Sequence, residues 1–280
     1  MPELPELEVL RRGLAKQVVG KTIADAIVNK EPCVEPKPPA YQKAMKGGKL
    51  IAARRKGKVA LLDLDNGHTL LLHLGLGGRV VLRGTADHNP DDAPIVIVFA
   101  DGSALHAEKL MFGNIHVLPT DKLATDVRLG KAGPDALDDL PPAAELRDLY
   151  GARKSALKAL LMDQSLLCGI GNMYADEILH RARLHPQTLG AQLKDEELAR
   201  LHHAIRDALE AAIADGGASE TNFADLAGVE GRHYANLRVH GQADQPCLEC
   251  GTKIKELRVG GRATFLCPKC QRKKPARRKA

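Results

Sequence analysis

No apolar run in this 280-residue chain approaches the ~20 residues that a membrane-spanning helix needs, so a membrane protein of the helical kind is not expected. A basic-then-apolar leader is missing too. The first eight residues, Met1-Pro2-Glu3-Leu4-Pro5-Glu6-Leu7-Glu8, hold three carboxylates and no base, which excludes a secretory signal and points to a cytoplasmic protein. No internal repeat is visible. The body also lacks an excess of either charge. The formal net charge of +6 equals the contribution of Arg272, Lys273, Lys274, Arg277, Arg278 and Lys279, and the remainder balances at 35 basic and 35 acidic residues. Overall basicity therefore says little about the folded part, while the tail (272–280) is expected to be disordered and to attract phosphates without specificity.

What is present fits a soluble globular protein, with 44% hydrophobic and 27% charged residues and enough length for two domains. The chain opens as a helix: Leu7, Leu10, Leu14 and Val18 recur on one face, Pro5 suits a first turn, and acids precede bases as the helix dipole favours. Helix grammar does not account for Pro2 and Glu3 ahead of it. Removal of Met1 would leave Pro2 as a secondary α-amine. An α-amine titrates near ~8 against about 10.4 for lysine, so far more of it is unprotonated at neutral pH and able to attack a carbon electrophile. Glu3 stands beside it as a general acid. Taken alone, Met-Pro-Glu is also a common start without such a role.

From Leu50 to about Pro119 short strand patterns follow one another (Leu50–Arg54, Val59–Leu64, His68–Leu74, Arg79–Leu82, Ile95–Phe99, Ala104–His106, Ile115–Leu118), divided by turns such as Asp65-Asn66-Gly67 and Asp101-Gly102. With Lys21–Asn29, this spacing predicts a two-sheet sandwich or barrel. A Gly-, Pro- and Asp-rich stretch (131–142) reads as a linker, after which the periodicity turns helical, in Ala143–Tyr150, Ser155–Met162, Asn172–Ala182 and Lys194–Asp215. The expected organisation is α+β: an N-terminal sandwich (1–130), the linker, a helical domain (143–236) and a small module (237–271).

Four of six cysteines fall in Cys247-x2-Cys250-x16-Cys267-x2-Cys270. Two close thiolate knuckles suit tetrahedral Zn²⁺, and four thiolates close its coordination, so one structural zinc is expected. Between them, Arg258–Phe265 reads as a β-hairpin that presents Arg262. Gly169-Ile170-Gly171-Asn172 lies between two helical patterns, where glycine-freed N–H groups at a helix start can hold a phosphate; an ordinary Asn cap is the plainer reading. Arg54-Arg55-Lys56-Gly57-Lys58 puts four positive charges around one turn, either a solvated basic hairpin or a phosphate contact. His68, His73 and His106 read as structural, and Cys33 and Cys168 have no assigned role.

In combination these residues resemble the formamidopyrimidine-DNA glycosylase / endonuclease VIII family. Met-Pro-Glu-Leu-Pro-Glu at the start, a β domain, Met162-Asp163-Gln164 through Gly169-Ile170-Gly171-Asn172-Met173-Tyr174-Ala175, and the four-cysteine finger occur in the family's order, from residue 2 to about 270. The resemblance implies a β-sandwich with an N-terminal catalytic helix, a helix–two-turn–helix domain and a zinc finger. It implies a bifunctional glycosylase and AP lyase of base excision repair, acting as a monomer on damaged double-stranded DNA with the target nucleotide flipped out of the duplex, associated with the nucleoid, with zinc and no small-molecule cofactor. Pro2 would attack C1′, Glu3 would open the sugar and shuttle protons, and Glu6 would support the site. Lys58, Asn172 with Gly171, and Arg262 would contact phosphates, and β,δ-elimination would follow. Leu76 and Phe112 match wedge positions. The family's Asp-Pro-Arg-Arg-Phe-Gly loop is here Glu108-Lys109-Leu110-Met111-Phe112-Gly113, with both arginines replaced by apolar residues, so Leu110 stands where a base-reading arginine is usual. Ala218–Tyr234 resembles the loop that covers 8-oxoguanine and favours oxidised purines. The alternatives are an endonuclease VIII-like enzyme for oxidised pyrimidines or single strands, and a damaged-DNA-binding protein without catalysis.

Overall fold

The computed structural model describes residues 1–151, 153–218 and 223–274. By contacts the chain divides into two compact units, Met1–Lys131 with Ala212–Tyr234, and Ala132–Ala211 with Ala235–Ala280. The stretch 131–142 thus goes almost entirely with the second unit, and 212–234 returns to the first.

The first unit begins with α1 (Leu4–Gln17), whose apolar stripe Leu7, Leu10 and Leu14 is fully buried. After β1 (Ile23–Val28) come the two-residue β2 (Val34–Glu35) and α2 (Pro38–Met45). This helix lies in the Pro-rich stretch that strand periodicity leaves blank; its two prolines occupy the first helical positions, where no N–H is missed. Then follow β3 (Leu50–Lys56), β4 (Val59–Leu64), β5 (His68–His73), β6 (Arg79–Arg83), β7 (Ile95–Phe99), β8 (Ala104–Glu108) and β9 (Asn114–Pro119). They form the two sheets of the sandwich, ordered β1-β7-β8-β6 and β2-β9-β5-β4-β3. Their inward residues, including Leu62, Leu72, Ile97 and Phe99, share one core with the α1 stripe and with Phe223 and Leu226 of the returning segment.

The second unit holds α3 (Leu146–Tyr150), α4 (Leu157–Leu161), α5 (Asn172–Arg181) and most of α6 (Asp195–Ala214), followed by the hairpin β10 (Lys255–Val259) and β11 (Arg262–Leu266). Val239, Ile254, Cys247 and Cys267 form a small core of their own under that hairpin. No helix among the described residues is long and apolar enough to cross a membrane.

Candidate active site and phosphate contacts

In the first unit the sequence-predicted residues Pro2, Glu3 and Glu6 meet at the start of α1. Pro2 is buried and Glu3 is only 4% exposed, an unusual place for a carboxylate. Glu3 takes the N-cap position, and its N–H donates to Glu6 Oε2 at 2.8 Å in a reciprocal capping box. The other oxygen of Glu6 accepts the Ala218 N–H at 2.8 Å. Glu6 therefore ties the returning segment to the start of α1. Gly217, at φ 83°, makes room for it: a Cβ there would lie 3.2 Å from Glu6 Oε1.

Lys58 sits in a two-residue turn between β3 and β4, opened by Gly57 at φ 54°. Two of the four basic residues around this turn are paired with carboxylates, Arg54 at the surface and Arg55 in the interior. Arg54 makes a bidentate pair with Asp63 at 2.6 Å to each oxygen. Arg55, with no exposed side-chain surface, bonds Glu8 of α1 and the Gly57 carbonyl. The Lys58 turn is thereby clamped to the helix that follows Pro2 and Glu3. Burial would raise the Glu8 carboxyl, but Arg11, Arg12 and Arg55 overcome it and hold the group down at about 2.

His73 belongs to this neighbourhood, a residue that sequence reasoning set aside. Burial, with the charges of Arg128 and Lys58, pushes its ring down to about 4, and its buried Nδ1 has no hydrogen-bond partner. A neutral ring with an unpartnered nitrogen near a lysine is a further phosphate-contact candidate. Nothing in its sequence spacing marks it, because the charges acting on it come from other strands and loops.

The wedge candidates lie on two loops packed backbone to backbone. The Leu76 N–H donates to Met111 O at 2.7 Å, and a Cβ on Gly75 would lie 2.2 Å from that same oxygen, so only glycine fits there. Leu76 is 44%, Met111 59% and Phe112 80% exposed, whereas Leu110 is 7% exposed and belongs to the sandwich core. The residue in the expected base-reading position points its bulk inward, and Met111 is the exposed one. Phe112 holds a positive φ of 56°, a conformation non-glycine residues adopt sparingly.

In the second unit Gly171 is the N-cap of α5 and Asn172 its first helical residue, so Asn172 is not a cap. Its buried Oδ1 has no hydrogen-bond partner. The preceding loop is braced by Gln164, which donates to the Met162 and Ile170 carbonyls and accepts the Gly169 N–H. Arg262 is exposed at the first position of β11. Its neighbours are fixed by Lys158, a buried cation missed from sequence: its ammonium donates to Ala263 O and Thr264 Oγ1 and lies 2.8 Å from Asp176 Oδ1. That last contact is an ion pair without hydrogen-bond geometry.

The ligand sulfurs of Cys247, Cys250, Cys267 and Cys270 all lie within 4.8 Å of one another, with 3.4 Å between Cys250 and Cys267 and 4.0 Å between Cys247 and Cys270. A tetrahedron of Zn–S bonds near 2.3 Å requires about 3.8 Å between sulfurs. The four cysteines fit one structural zinc.

Comparison with known proteins agrees along the whole chain. Residues 1–114 match the model of the formamidopyrimidine-DNA glycosylase N-terminal domain, 132–223 that of its H2TH domain, and 244–272 that of the zinc finger found in FPG and IleRS. A formamidopyrimidine-DNA glycosylase of Pelotomaculum thermopropionicum is 35% identical over 98% of this chain and 100% of its own length. The chain belongs to the formamidopyrimidine-DNA glycosylase family. A Chloroflexus aggregans member is 38% identical over 97% of the chain and 98% of its own. Among solved structures, Lactococcus lactis Fpg in complex with abasic-site DNA superposes with a TM-score of 0.89 at 30% identity, covering 97% of this chain and 100% of that one. The same L. lactis protein bound to DNA containing an oxidised pyrimidine gives 0.88 at 29%.

Proposed function

We propose that this protein is a base-excision DNA glycosylase with AP lyase activity that uses Pro2 as its nucleophile. The observation that carries the reading is the buried start of α1, where Pro2 and Glu3 are adjacent and Glu6 fixes the backbone by accepting the Glu3 N–H. Once Met1 is removed, the Pro2 amine attacks C1′ of the flipped nucleotide. The N–C1′ bond forms, the glycosidic bond breaks, and the base leaves with its electron pair and takes up the proton that the amine nitrogen loses. Glu3 protonates the sugar ring oxygen and opens the ring, leaving an iminium ion whose adjacent proton is acidic. Loss of that proton expels the 3′ phosphate, and a second elimination expels the 5′ phosphate.

Lys58 with His73, and separately Asn172 and Arg262, supply cationic and N–H donors to backbone phosphates, which position the strand without reading it. Leu76, Met111 and Phe112 fill the space left by the everted nucleotide, with Leu110 supporting them from the core. These three side chains carry no N–H or O–H donor, so they have nothing with which to read the opposite base, a property that suits a broad lesion range.

Oxidised purines are the proposed principal substrates. Ala218–Tyr234 supports this choice, although its residues 219–222 lie outside the described residues. The second reading, oxidised pyrimidines, is favoured by the donor-free wedge. DNA of the nucleoid is the proposed place of action. Borohydride trapping on oligonucleotides carrying 8-oxoguanine, formamidopyrimidine, an oxidised pyrimidine or an abasic site tests all of this. A covalent adduct at Pro2 is expected, and its lesion dependence chooses the substrate class. Absence of any adduct from zinc-loaded protein lacking Met1 would overturn the lyase mechanism.

A further inference from the structure

Helix α5 presents Asn172, Asp176 and His180 at successive i, i+4 positions, with Glu177 alongside. Asp176 Oδ2 faces His240 Nδ1 at 2.8 Å and accepts the Phe265 N–H. Glu177 accepts three successive N–H groups, of Arg238, Val239 and His240. These acids pin the segment entering the finger and the second strand of its hairpin. One turn further on, His180 Nε2 lies 3.6 Å from Cys247 Sγ, both residues 2% exposed.

We infer that His180 is an outer-sphere partner of the zinc centre, its ring N–H donating to the Cys247 thiolate and stabilising metal binding. A zinc-bound thiolate sulfur carries lone pairs and no proton, so the nitrogen facing it must be the protonated one, and the tautomer is Nε2–H. Four thiolates around one Zn²⁺ leave two net negative charges in a centre whose Cys247 and Cys267 are buried, and a donor aimed at one sulfur draws part of that charge away. Hydrogen bonds of this kind orient ligands and strengthen metal binding.

His180 is not itself a ligand, because the four cysteines already complete a tetrahedron. A ring nitrogen of His180, a carboxylate oxygen of Glu249 and Cys270 Sγ also lie within 4.8 Å of one another. That group shares Cys270 with the tetrad, so it is the rim of the same centre rather than a second site.

The test compares full-length zinc-loaded protein with its His180→Phe and His180→Gln variants, measuring zinc transfer to a colorimetric chelator and the absorption of the cobalt-substituted forms. Zinc affinity of His180→Phe should fall about 10- to 100-fold, while its cobalt spectrum keeps the four-thiolate signature. His180→Gln retains an N–H of similar reach and should stay within a few-fold of the parent. Equal zinc affinity in His180→Phe and the parent would overturn the inference. So would loss of zinc from His180→Gln as readily as from His180→Phe, or a cobalt spectrum reporting nitrogen ligation in the parent. If His180→Phe does not fold, ¹⁵N NMR of the zinc-loaded parent decides: an Nε2–H tautomer upholds the bond and an Nδ1–H tautomer excludes it.

Discussion

The Glu6 carboxylate accepts the N–H of Ala218, a residue 212 positions away in the chain, while its second oxygen accepts the N–H of Glu3. One buried side chain thus joins the start of α1 to the segment that returns from α6. Glu6→Ala orphans two N–H donors in a dry site, each costing about 1–3 kcal/mol. A clear drop in melting temperature is expected, together with slower single-turnover excision. Unchanged melting would mean that Ala218 has another acceptor.

Pro2→Gly and Glu3→Gln are predicted to leave duplex binding nearly intact, because neither residue is needed for the phosphate contacts. Base excision should fall by at least about 100-fold, the usual minimum for a lost acid–base or nucleophilic group. Rapid-quench assays beside gel-shift titrations separate the two effects. Full excision by Pro2→Gly would move the nucleophile elsewhere.

Leu110 and Met111 should behave differently when replaced by arginine. At 7% exposure, Leu110→Arg places an unpaired charge in the sandwich core and should destabilise the first unit by several kcal/mol, read by denaturant unfolding. Met111→Arg puts donors on the exposed side of the loop and should shift the preference among opposite bases relative to the parent. Excision rates measured opposite C, A, G and T report it, and an unshifted profile in Met111→Arg would remove Met111 from the wedge.

Glu8 makes part of the acid sensitivity predictable. Its folded carboxyl sits at about 2 against an ordinary value of 4.5. Between these values the unfolded chain binds the extra proton, so the stability that Glu8 contributes is fully present above about 4.5 and is lost as pH falls toward 2. Glu8→Gln should lower stability at pH 7 and flatten its pH dependence in that window. An equal slope in both proteins would assign acid unfolding to other carboxylates.

Removal of zinc by a chelator, or Cys247→Ser, should unfold the hairpin module and weaken DNA affinity, with Arg262 no longer held. Circular dichroism and fluorescence anisotropy check this jointly. Full affinity of the metal-free protein would separate the finger from DNA binding.

Much of the architecture was legible from local pattern. Alternating strands, the stripe on α1 and the two Cys-x2-Cys knuckles depend on residues a few positions apart, and their periods survive in any tertiary setting. The motif residues Pro2, Glu3, Lys58, Asn172 and Arg262 were likewise marked by their sequence neighbours. Folding alone brought Ala218 to Glu6, Glu8 to Arg55, Lys58 near His73, Lys158 to Asp176, and His180 to Cys247. It also decided that Leu110 turns inward and Met111 outward. Most of these pairings follow from burial: a carboxylate, an ammonium or an N–H removed from water is costly to leave unpaired, and which partner it meets is set by how sheets and helices stack rather than by spacing along the chain.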